Sequence, residues 1–370
     1  MKYYIIAGEA SGDLHGSNLI RALKGLDHDA EVRAWGGDLM QAAGAKIVKH
    51  YKDLAFMGFA EVVKNLPTIL GNIRFCKEDI ESYRPDVLVL IDYPGFNLRI
   101  AKWAKEQGFK VIYYISPQVW AWKEGRVKSI RKVVDRMLVI LPFEKEFYEK
   151  WDYEVIYVGH PLIQVINEFL ARHPRQPQTG KPVIALLPGS RKQEIEKKLP
   201  IMLEAAKAFP QYQFVIAKAP SQDDSFYAPF LKGYDNIETV SGQTYNLLAR
   251  ASAALVTSGT ATLETALFGV PEVVCYKGSS ISYQIAKRLI KIKYISLVNL
   301  IMDKKVVTEL IQHELTVDNL IKELNSILND PERKKQMADN YQELRNILSQ
   351  KEDASKRAAE EIVGFLQSRM

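Results

Sequence analysis

Cysteine is scarce in this sequence, and long uncharged apolar runs are missing. The 370 residues include two cysteines, Cys76 and Cys275, too few for a disulfide-stabilised scaffold and typical of a protein kept in a reducing compartment. The N-terminal residues run directly into a predicted strand without the apolar core of a signal peptide, and no segment is long enough to cross a bilayer. We therefore expect a cytoplasmic protein that at most lies on a membrane from its cytosolic side.

Several ligand-binding motifs are also absent. No Asp-x-Asp pair or cluster of His, Asp and Glu marks a metal site, because the one such pair, Asp27-His28-Asp29, is not accompanied by further ligands. There is also no zinc-ligand spacing and no Gly-Lys-Ser/Thr sequence, so the sequence predicts neither a metal site nor a P-loop. No helix-turn-helix pattern or aromatic RNA motif is present, and we expect no nucleic acid partner. The net charge is +6, and clustered basic residues suit phosphate-bearing ligands or anionic lipids, or equally a solvated helix face. The clusters are Lys123, Arg126, Lys128, Arg131 and Lys132, and Lys287, Arg288, Lys291 and Lys293.

Length and periodicity indicate two domains. A chain of 370 residues exceeds one comfortable core, and apolar strands alternate with amphipathic helices on both sides of the Pro-rich stretch 172–182. We predict an α/β protein with two doubly wound Rossmann-like domains facing each other across a cleft, followed by a helical C-terminal tail. The predicted domains span 1–171 and 182–349, and the helix in 350–370 is expected to pack back toward the N-terminal domain.

The chain beyond residue 281 reads as mainly helical. The loop 294–300 interrupts this run, and Asn299 is its one amide. Apolar neighbours would bury that amide, so it needs a hydrogen-bonding partner. Helices are predicted over 281–291, 306–311, 318–329, 331–349 and 352–367.

The stretch 256–271 carries the strongest indication of a binding site. It reads as a buried strand end, a Ser258-Gly259-Thr260 turn, a short helix and a Gly-Val-Pro stop. A turn that delivers a helix N-terminus to a sheet edge binds anions, because unpaired N–H groups and the helix dipole point at one place. With Thr260 as the N-cap, Glu264 lies one residue past the capping-box position and is free to accept hydrogen bonds from a ribose. The alternative is an ordinary strand–turn–helix with an acid in its first turns.

A second turn in the same predicted domain has similar properties. Gly189-Ser190-Arg191 follows the predicted strand 183–187 and offers backbone N–H groups and a guanidinium fork. Both turns are expected at one edge of one sheet, where together they suit a diphosphate. Their cationic and N–H groups would take the place of a metal ion, and no cofactor is expected.

The N-terminal domain supplies the predicted base. The apolar run 87–91 is typical of a central parallel strand, and Asp92 follows it, where catalytic groups of open α/β sheets lie. A role as a helix cap is disfavoured because Pro94 and Gly95 separate Asp92 from the predicted helix. A base on one side and a nucleoside diphosphate on the other is the layout for glycosyl transfer to a hydroxyl.

Other candidates in the N-terminal half lie on the side expected for an acceptor. The glycine-rich turn 8–16 would point Glu9, Ser11 and Asp13 at the crevice. Trp120 and the neighbouring Trp122 either wall a pocket or cover the core. The unusually apolar stretch 54–70 is either core or a surface that takes an acyl chain or enters a bilayer. The exposed alternative would use its residues Met57, Phe59, Leu66, Ile69 and Leu70.

Six short motifs stand out in chain order. They are GEASGD at 8–13, IDYPGFN at 91–97, SPQVWAW at 116–122, VGHP at 158–161, LPGSR at 187–191 and SGTATLE at 258–264. In this combination the sequence resembles the bacterial lipid-A-disaccharide synthases, and the resemblance extends to about Asn299. That family consists of inverting glycosyltransferases with the GT-B fold, so the resemblance implies this fold and activity.

The resemblance also implies a reaction and the residues that carry it. UDP-2,3-diacylglucosamine would condense with 2,3-diacylglucosamine 1-phosphate (lipid X) to give the β-1,6-linked lipid A disaccharide 1-phosphate and UDP. Asp92 matches the essential acid, Arg191 the essential arginine of the nucleotide side, and Asn299 a polar residue of the active site. Gly95 stands where the family commonly has an Asp, so that position is given no role.

Location and partners follow from the lipid substrates. Their acyl chains place the enzyme at the cytosolic face of the inner membrane as a peripheral protein, and homodimer formation is left open. A UDP-sugar epimerase on the same fold is one rival interpretation, although its motifs are absent. A non-catalytic peripheral membrane protein that binds nucleotides is the other, but such a protein has no use for an acid at Asp92. The acceptor and lipid-side candidates are Glu9, Ser11, Asp13, Met57, Phe59 and Trp120.

Overall fold

A computed structural model describes residues 1–54, 66–121, 124–174, 180–278, 292–349 and 353–368. The chain divides into two compact units. The first contains Met1–Pro161 together with the C-terminal segment Ser349–Met370, and the second contains Leu162–Leu348. Each unit is a parallel β-sheet flanked by helices.

The first unit is built on a seven-stranded sheet with the order β3-β2-β1-β4-β5-β6-β7. Its strands are β1 (Lys2–Ala7), β2 (Glu31–Gly36), β3 (Lys46–His50), β4 (Val87–Ile91), β5 (Val111–Tyr114), β6 (Arg136–Val139) and β7 (Ile156–Tyr157). The helices between them are α1 (Ala10–Leu26), α2 (Asp38–Ala42), α3 (Leu66–Tyr83), α4 (Pro94–Glu106), α5 (Val127–Val133) and α6 (Pro142–Glu149).

The centre of this sheet explains the apolar run seen in the sequence. All five residues of β4 are buried, because helices cover both faces of a doubly wound sheet. β1 and β4 are parallel neighbours, with Ala7 opposite Ile91 at their carboxyl ends. The strand order reverses between them, and such a reversal opens the crevice in which this class of fold binds ligands.

The second unit repeats the plan with six strands in the order β10-β9-β8-β11-β12-β13. Its helices begin with α7 (Pro161–Arg172), α8 (Lys192–Ala206), α9 (Asp224–Leu231), α10 (Thr244–Arg250) and α11 (Thr260–Leu267), and continue with α12 (Leu297–Met302), α13 (Val317–Asn329) and α14 (Pro331–Leu348). Its strands are β8 (Val183–Leu187), β9 (Gln213–Lys218), β10 (Ile237–Ser241), β11 (Ala251–Thr257), β12 (Glu272–Tyr276) and β13 (Thr308–Ile311).

Two helices determine where the units divide. Leu162 and Ile166 of α7 are buried in the core of the second unit, so the division falls at Pro161. The sequence suggested residue 171 instead, because the Pro-rich stretch that follows looks like a linker. The last helix, α15 (Ala354–Gln367), packs against α1 within the first unit.

One prediction of secondary structure is wrong, and one strand was not predicted. The stretch 306–311 was expected to be helical, but it contains β13, in which Leu310 pairs with Cys275 of β12. The β-branched run Val306–Thr308 favours extended backbone, and pairing at the sheet edge decides the outcome. The strand β3 was not predicted, and the helix predicted over 281–291 lies outside the described residues.

Candidate active site

Asp92 lies at the crevice of the first unit, directly after β4. It and Tyr93 adopt left-handed backbone, with φ of 44° and 48°, which costs a non-glycine residue about 1–3 kcal/mol. α4 begins at Pro94 with Tyr93 as its N-cap residue. Pro94 and Gly95 therefore do not separate Asp92 from the helix, as the sequence had suggested, because both belong to the helix. Asp92 is still not the cap.

The left-handed turn is held by Asn97, which is fully buried on α4. Its Nδ2 donates to the carbonyl oxygens of Asp92 at 2.8 Å, Ile91 at 3.2 Å and Ile6 at 3.5 Å. The hydroxyl of Tyr113 also donates to the Asp92 carbonyl, at 2.5 Å. One helix and one strand, α4 and β5, thus fix the backbone of Asp92 through groups other than its carboxylate.

The carboxyl of Asp92 is tuned by its surroundings. Burial raises its pKa to about 6, the negative charge of Glu9 adds to the rise, and a backbone hydrogen bond at Tyr93 opposes it. A group with this pKa is mostly ionised at neutral pH and is more basic than an ordinary carboxylate. Acids perturbed in this way in a crevice are candidates for proton transfer.

The turn after β1 shapes the same crevice. The ring of Tyr93 lies against Gly8, where an added Cβ would be 2.4 Å from the ring. Glu9 and Ser11 follow and are both exposed. Only glycine permits this close approach, so the GEASGD motif brings the Glu9 charge beside Asp92.

Asp13 has a different place from the one predicted. It is buried, and its carboxylate accepts hydrogen bonds from the backbone N–H groups of Gly37 at 2.7 Å and of Leu39 and Met40 at 3.1 Å. These groups lie at the N-terminal end of α2, which the carboxylate therefore stabilises. The expectation that Asp13 points at the crevice is therefore wrong, because its buried carboxylate is engaged by the start of α2.

The lipid-side candidates are only partly described. Trp120 is half-buried and packs edge-to-face on Phe143 of α6, with ring centroids 4.9 Å apart. Met57 and Phe59 lie outside the described residues. Ile69 is half-buried, whereas Leu70 is 54% exposed. None of the helices that the structure describes has the length and apolar character needed to cross a membrane.

In the second unit, the two predicted turns lie side by side. Leu187 of β8 pairs with Val256 of β11, and neighbouring strands are about 4.8 Å apart. The turn Gly189-Ser190-Arg191 leads into α8, and Ser258-Gly259-Thr260 leads into α11. Gly189 and Gly259 have φ of 126° and 128°, values that favour glycine. The structure thus brings both turns to one point, where the strand order reverses.

The details of the second turn differ from expectation. Gly259 is the N-cap residue and Thr260 is the first helical residue, so the predicted cap is displaced by one position. Glu264 does not stand alone, because the hydroxyl of Tyr245 donates to its Oε1 at 2.7 Å. Burial raises the pKa of the Glu264 carboxyl, and the bond from Tyr245 opposes that rise. One of its two oxygens is therefore already engaged.

The first turn is followed by three charged side chains of α8 and its cap. Arg191 is 62% exposed, and its guanidinium lies 3.9 Å from Glu194. Lys198 is only 2% exposed; its ammonium donates to Oγ1 of Thr257 at the end of β11 and lies 3.9 Å from Glu194. Lys198 could not be predicted from the sequence, because nothing near it in the chain indicates that it contacts Thr257.

Asn299 is not available to a ligand in this structure. Its Nδ2 donates to the Val307 carbonyl and to Glu309, both at 2.9 Å. Its Oδ1 accepts from the N–H groups of Val306 at 2.8 Å and Val307 at 3.0 Å. A side-chain amide has two donors and two acceptor positions, so its capacity is used. These contacts anchor the segment that enters β13, and the place of Asn299 in the active site stays a prediction.

The two crevices offer different chemistry. The first holds a carboxylate suited to accept a proton, and the second holds N–H groups, a guanidinium and a buried ammonium suited to an anion. Over the described ranges, no three His, Cys, Asp or Glu side chains are grouped closely enough to hold a metal ion.

Solved structures share this architecture. The UDP-GlcNAc 2-epimerase from Neisseria meningitidis bound to UDP-GlcNAc matches with a TM-score of 0.68 and 15% identity over 100% of both chains. The glycotransferase of kitacinnamycin matches with a TM-score of 0.67 and 15% identity over 98% of both. Identities this low show the fold alone. They confirm the predicted fold class, two doubly wound Rossmann-like units of GT-B type with a helical C-terminal end.

Sequence comparison goes further. The lipid-A-disaccharide synthase of Trichlorobacter lovleyi is 42% identical over 337 residues, which cover 89% of this chain and 88% of that protein. A family model described as lipid-A-disaccharide synthetase matches residues 3–363. The match includes both crevices and every described strand except the first residue of β1. The chain therefore belongs to the lipid-A-disaccharide synthase family, glycosyltransferases of lipid A biosynthesis.

Proposed function

We propose that this enzyme transfers the sugar of UDP-2,3-diacylglucosamine to the 6-hydroxyl of 2,3-diacylglucosamine 1-phosphate. The bond between the donor's anomeric carbon and the diphosphate breaks, and a bond from that carbon to the acceptor oxygen forms on the opposite face. The products are the β-1,6-linked disaccharide 1-phosphate and UDP. The observation that carries the proposal is Asp92 at the crevice of the first unit with a pKa raised to about 6.

Asp92 is proposed as the general base that takes the proton of the acceptor hydroxyl. Its elevated pKa favours proton transfer while the group stays mostly ionised at neutral pH. Asn97 and Tyr113 hold its backbone, so the carboxylate is positioned before the acceptor arrives. Glu9 and Ser11 lie exposed at the same crevice and are proposed to contact the acceptor sugar.

The second unit is proposed to bind the UDP moiety. Backbone N–H groups at Gly189–Ser190 and at Ser258–Thr260, with the Arg191 guanidinium, would stabilise the diphosphate as its negative charge grows. Glu264 would accept hydrogen bonds from the ribose through the oxygen that Tyr245 does not engage. We propose that these groups act without a metal ion or any further cofactor.

The lipid substrates require contact with a membrane, and we propose that the enzyme binds the cytosolic face of the inner membrane peripherally. Leu70 and Phe75 of α3 support this, because these large apolar side chains are 54% and 45% exposed. Replacing both with Gln should weaken sedimentation with anionic vesicles, while Leu26→Gln, a control at a 42% exposed residue of α1, should not. Equal vesicle binding by all three proteins would remove α3 from the membrane contact.

The reaction is tested by following UDP release from UDP-2,3-diacylglucosamine. We expect release only when 2,3-diacylglucosamine 1-phosphate is added, in a one-to-one ratio with disaccharide, and unchanged by a metal chelator. An epimerase would convert the donor without releasing UDP in proportion to acceptor. UDP release that is independent of the acceptor would contradict the proposed transfer, and loss of activity on chelation would contradict metal independence alone.

A further inference from the structure

Lys198 is a buried cation that the reaction described so far does not use. It lies on the second turn of α8, and its side chain is 2% exposed. Placing an ammonium in a protein interior is unfavourable unless charge or hydrogen bonds compensate for lost water. The contacts that the structure records are the Thr257 hydroxyl and an ion pair with Glu194 at 3.9 Å.

The local charge is not balanced by that ion pair. Glu194 is shared, because its Oε1 lies 3.9 Å from Arg191 and its Oε2 lies 3.9 Å from Lys198. One carboxylate therefore stands between two cations and leaves an excess positive charge. Burial lowers the pKa of Lys198, and Glu194 opposes that effect.

This charge lies next to the turns that we expect to bind the diphosphate. A Cβ built on Gly189 would lie 2.6 Å from Oε2 of Glu194 and 3.5 Å from Nζ of Lys198. On its other side, Lys198 holds the last residue of β11, which leads into Ser258-Gly259-Thr260. The ammonium thus lies between the two turns that we expect to hold the phosphates.

We propose that Lys198 is a positioning residue of the nucleotide site, where its buried charge stabilises the diphosphate and holds the two turns in register. This inference rests on the proposed UDP site. Glu194 acts as the counter-ion of Arg191 and Lys198 before UDP binds, and it competes with the diphosphate for both cations. Coulomb attraction acts strongly here, because the interior screens charge less than water does.

The test compares binding of UDP with binding of uridine, which lacks the phosphates. Lys198→Met should weaken UDP binding about tenfold or more, the scale of a charged interaction, with little change for uridine. Lys198→Arg should retain most of the preference for UDP. Lys207→Met is the matched control, because it removes the same charge where α8 ends, and it should change neither affinity.

A second variant gives a result of opposite sign. Glu194→Gln removes the counter-ion, so it should tighten UDP binding, whereas disruption of a purely structural ion pair would weaken it. Equal losses of UDP and uridine affinity in Lys198→Met, or weaker UDP binding in Glu194→Gln, would overturn the inference. If Lys198→Met does not fold, Glu194→Gln still decides. Failure of the wild-type protein to bind UDP would instead contradict the proposed function itself.

Discussion

In the first unit the strand order reverses between β1 and β4, and in the second it reverses between β8 and β11. Both reversals place chain turns at the carboxyl ends of central strands. The turn in the first unit carries the acid Asp92. The two turns in the second unit carry Arg191 and lie beside the buried Lys198. The same topology therefore carries the proposed proton acceptor in one unit and the proposed anion site in the other, because function depends on the residues placed at the crevice.

The backbones at the two crevices also differ. The second unit uses Gly189 and Gly259 where φ is positive, whereas the first uses Asp92 and Tyr93. Left-handed backbone is nearly free for glycine and unfavourable for other residues. Hydrogen bonds from the buried Asn97 offset that cost. The proposed base needs a side chain, so the first unit has strained backbone at its crevice where the second has glycine.

The largest expected effect is that of Asp92→Asn. The amide has almost the same shape but cannot take a proton, and loss of a general base lowers kcat by about 10²–10⁴-fold. Acceptor-dependent UDP release measures this change. A variant that keeps more than about a tenth of wild-type kcat would show that Asp92 only positions the acceptor.

Arg191→Lys tests the second unit in the same assay. The ammonium keeps the charge but lacks the bidentate fork, so kcat should fall about 10–100-fold, the size of one charged hydrogen bond. UDP affinity should fall less, because charge builds on the diphosphate in the transition state. Arg172→Lys is the control, since this exposed arginine pairs with Glu168 on α7. Equal losses in kcat and affinity would mean that Arg191 only binds the nucleotide.

Glu272 is a buried acid at the amino end of a strand in the second sheet, whereas Asp92 follows the carboxyl end of β4 in the first. Both carboxyl oxygens of Glu272, at the start of β12, lack a hydrogen-bond partner among the described residues, and burial raises the pKa well above its usual value. The pKa of Glu272 is therefore higher in the folded protein than in the unfolded chain. For this reason the group lowers the free energy of unfolding above about pH 4.3, where the unfolded chain ionises. Glu272→Met should therefore stabilise the second unit by about 1–3 kcal/mol.

Urea unfolding of wild type and Glu272→Met from pH 4 to pH 8 measures this effect. The gain in unfolding free energy should grow as the pH rises, while kcat stays unchanged. A loss of stability at pH 8 would show that Glu272 has a partner in the folded protein.

The smallest expected effect is on the pH profile. Asp92 must be ionised to act as a base, so kcat/KM should rise with pH through about 6, the pKa of its carboxyl. Glu9→Gln removes a negative charge that raises this pKa, so the acid limb should move to lower pH. Ser11→Ala, an uncharged change at an exposed residue in the first turn of α1, should leave the limb in place. If the acid limb of Glu9→Gln stays in place, the limb does not report the ionisation of Asp92.

The sequence predicted much of this arrangement, for physical reasons. Asp92 was found because a strand end is visible locally as an apolar run followed by an acid. Asn97 and Lys198 were not found, because their partners Ile6 and Thr257 come from distant parts of the chain. Such contacts are created by the sheet order, which the local pattern does not contain.

The surroundings of Asn299 were also not predicted. A lone amide among apolar neighbours was read with its family match as an active-site residue, but the segment that enters β13 satisfies the amide completely. The same segment had been predicted as a helix, so its hydrogen-bonding groups were not expected beside Asn299. The wrong secondary structure thus hid the contacts of a candidate site residue whose role stays a prediction.

The division of work between the two units is tested most directly by titrating UDP into Asp92→Asn and measuring turnover of the same preparation. We expect kcat to fall by about 10²–10⁴-fold while UDP affinity stays within about twofold of wild type. The two effects should separate because the proposed base and the proposed nucleotide site belong to different units. A parallel loss of UDP affinity and turnover would contradict this division of work.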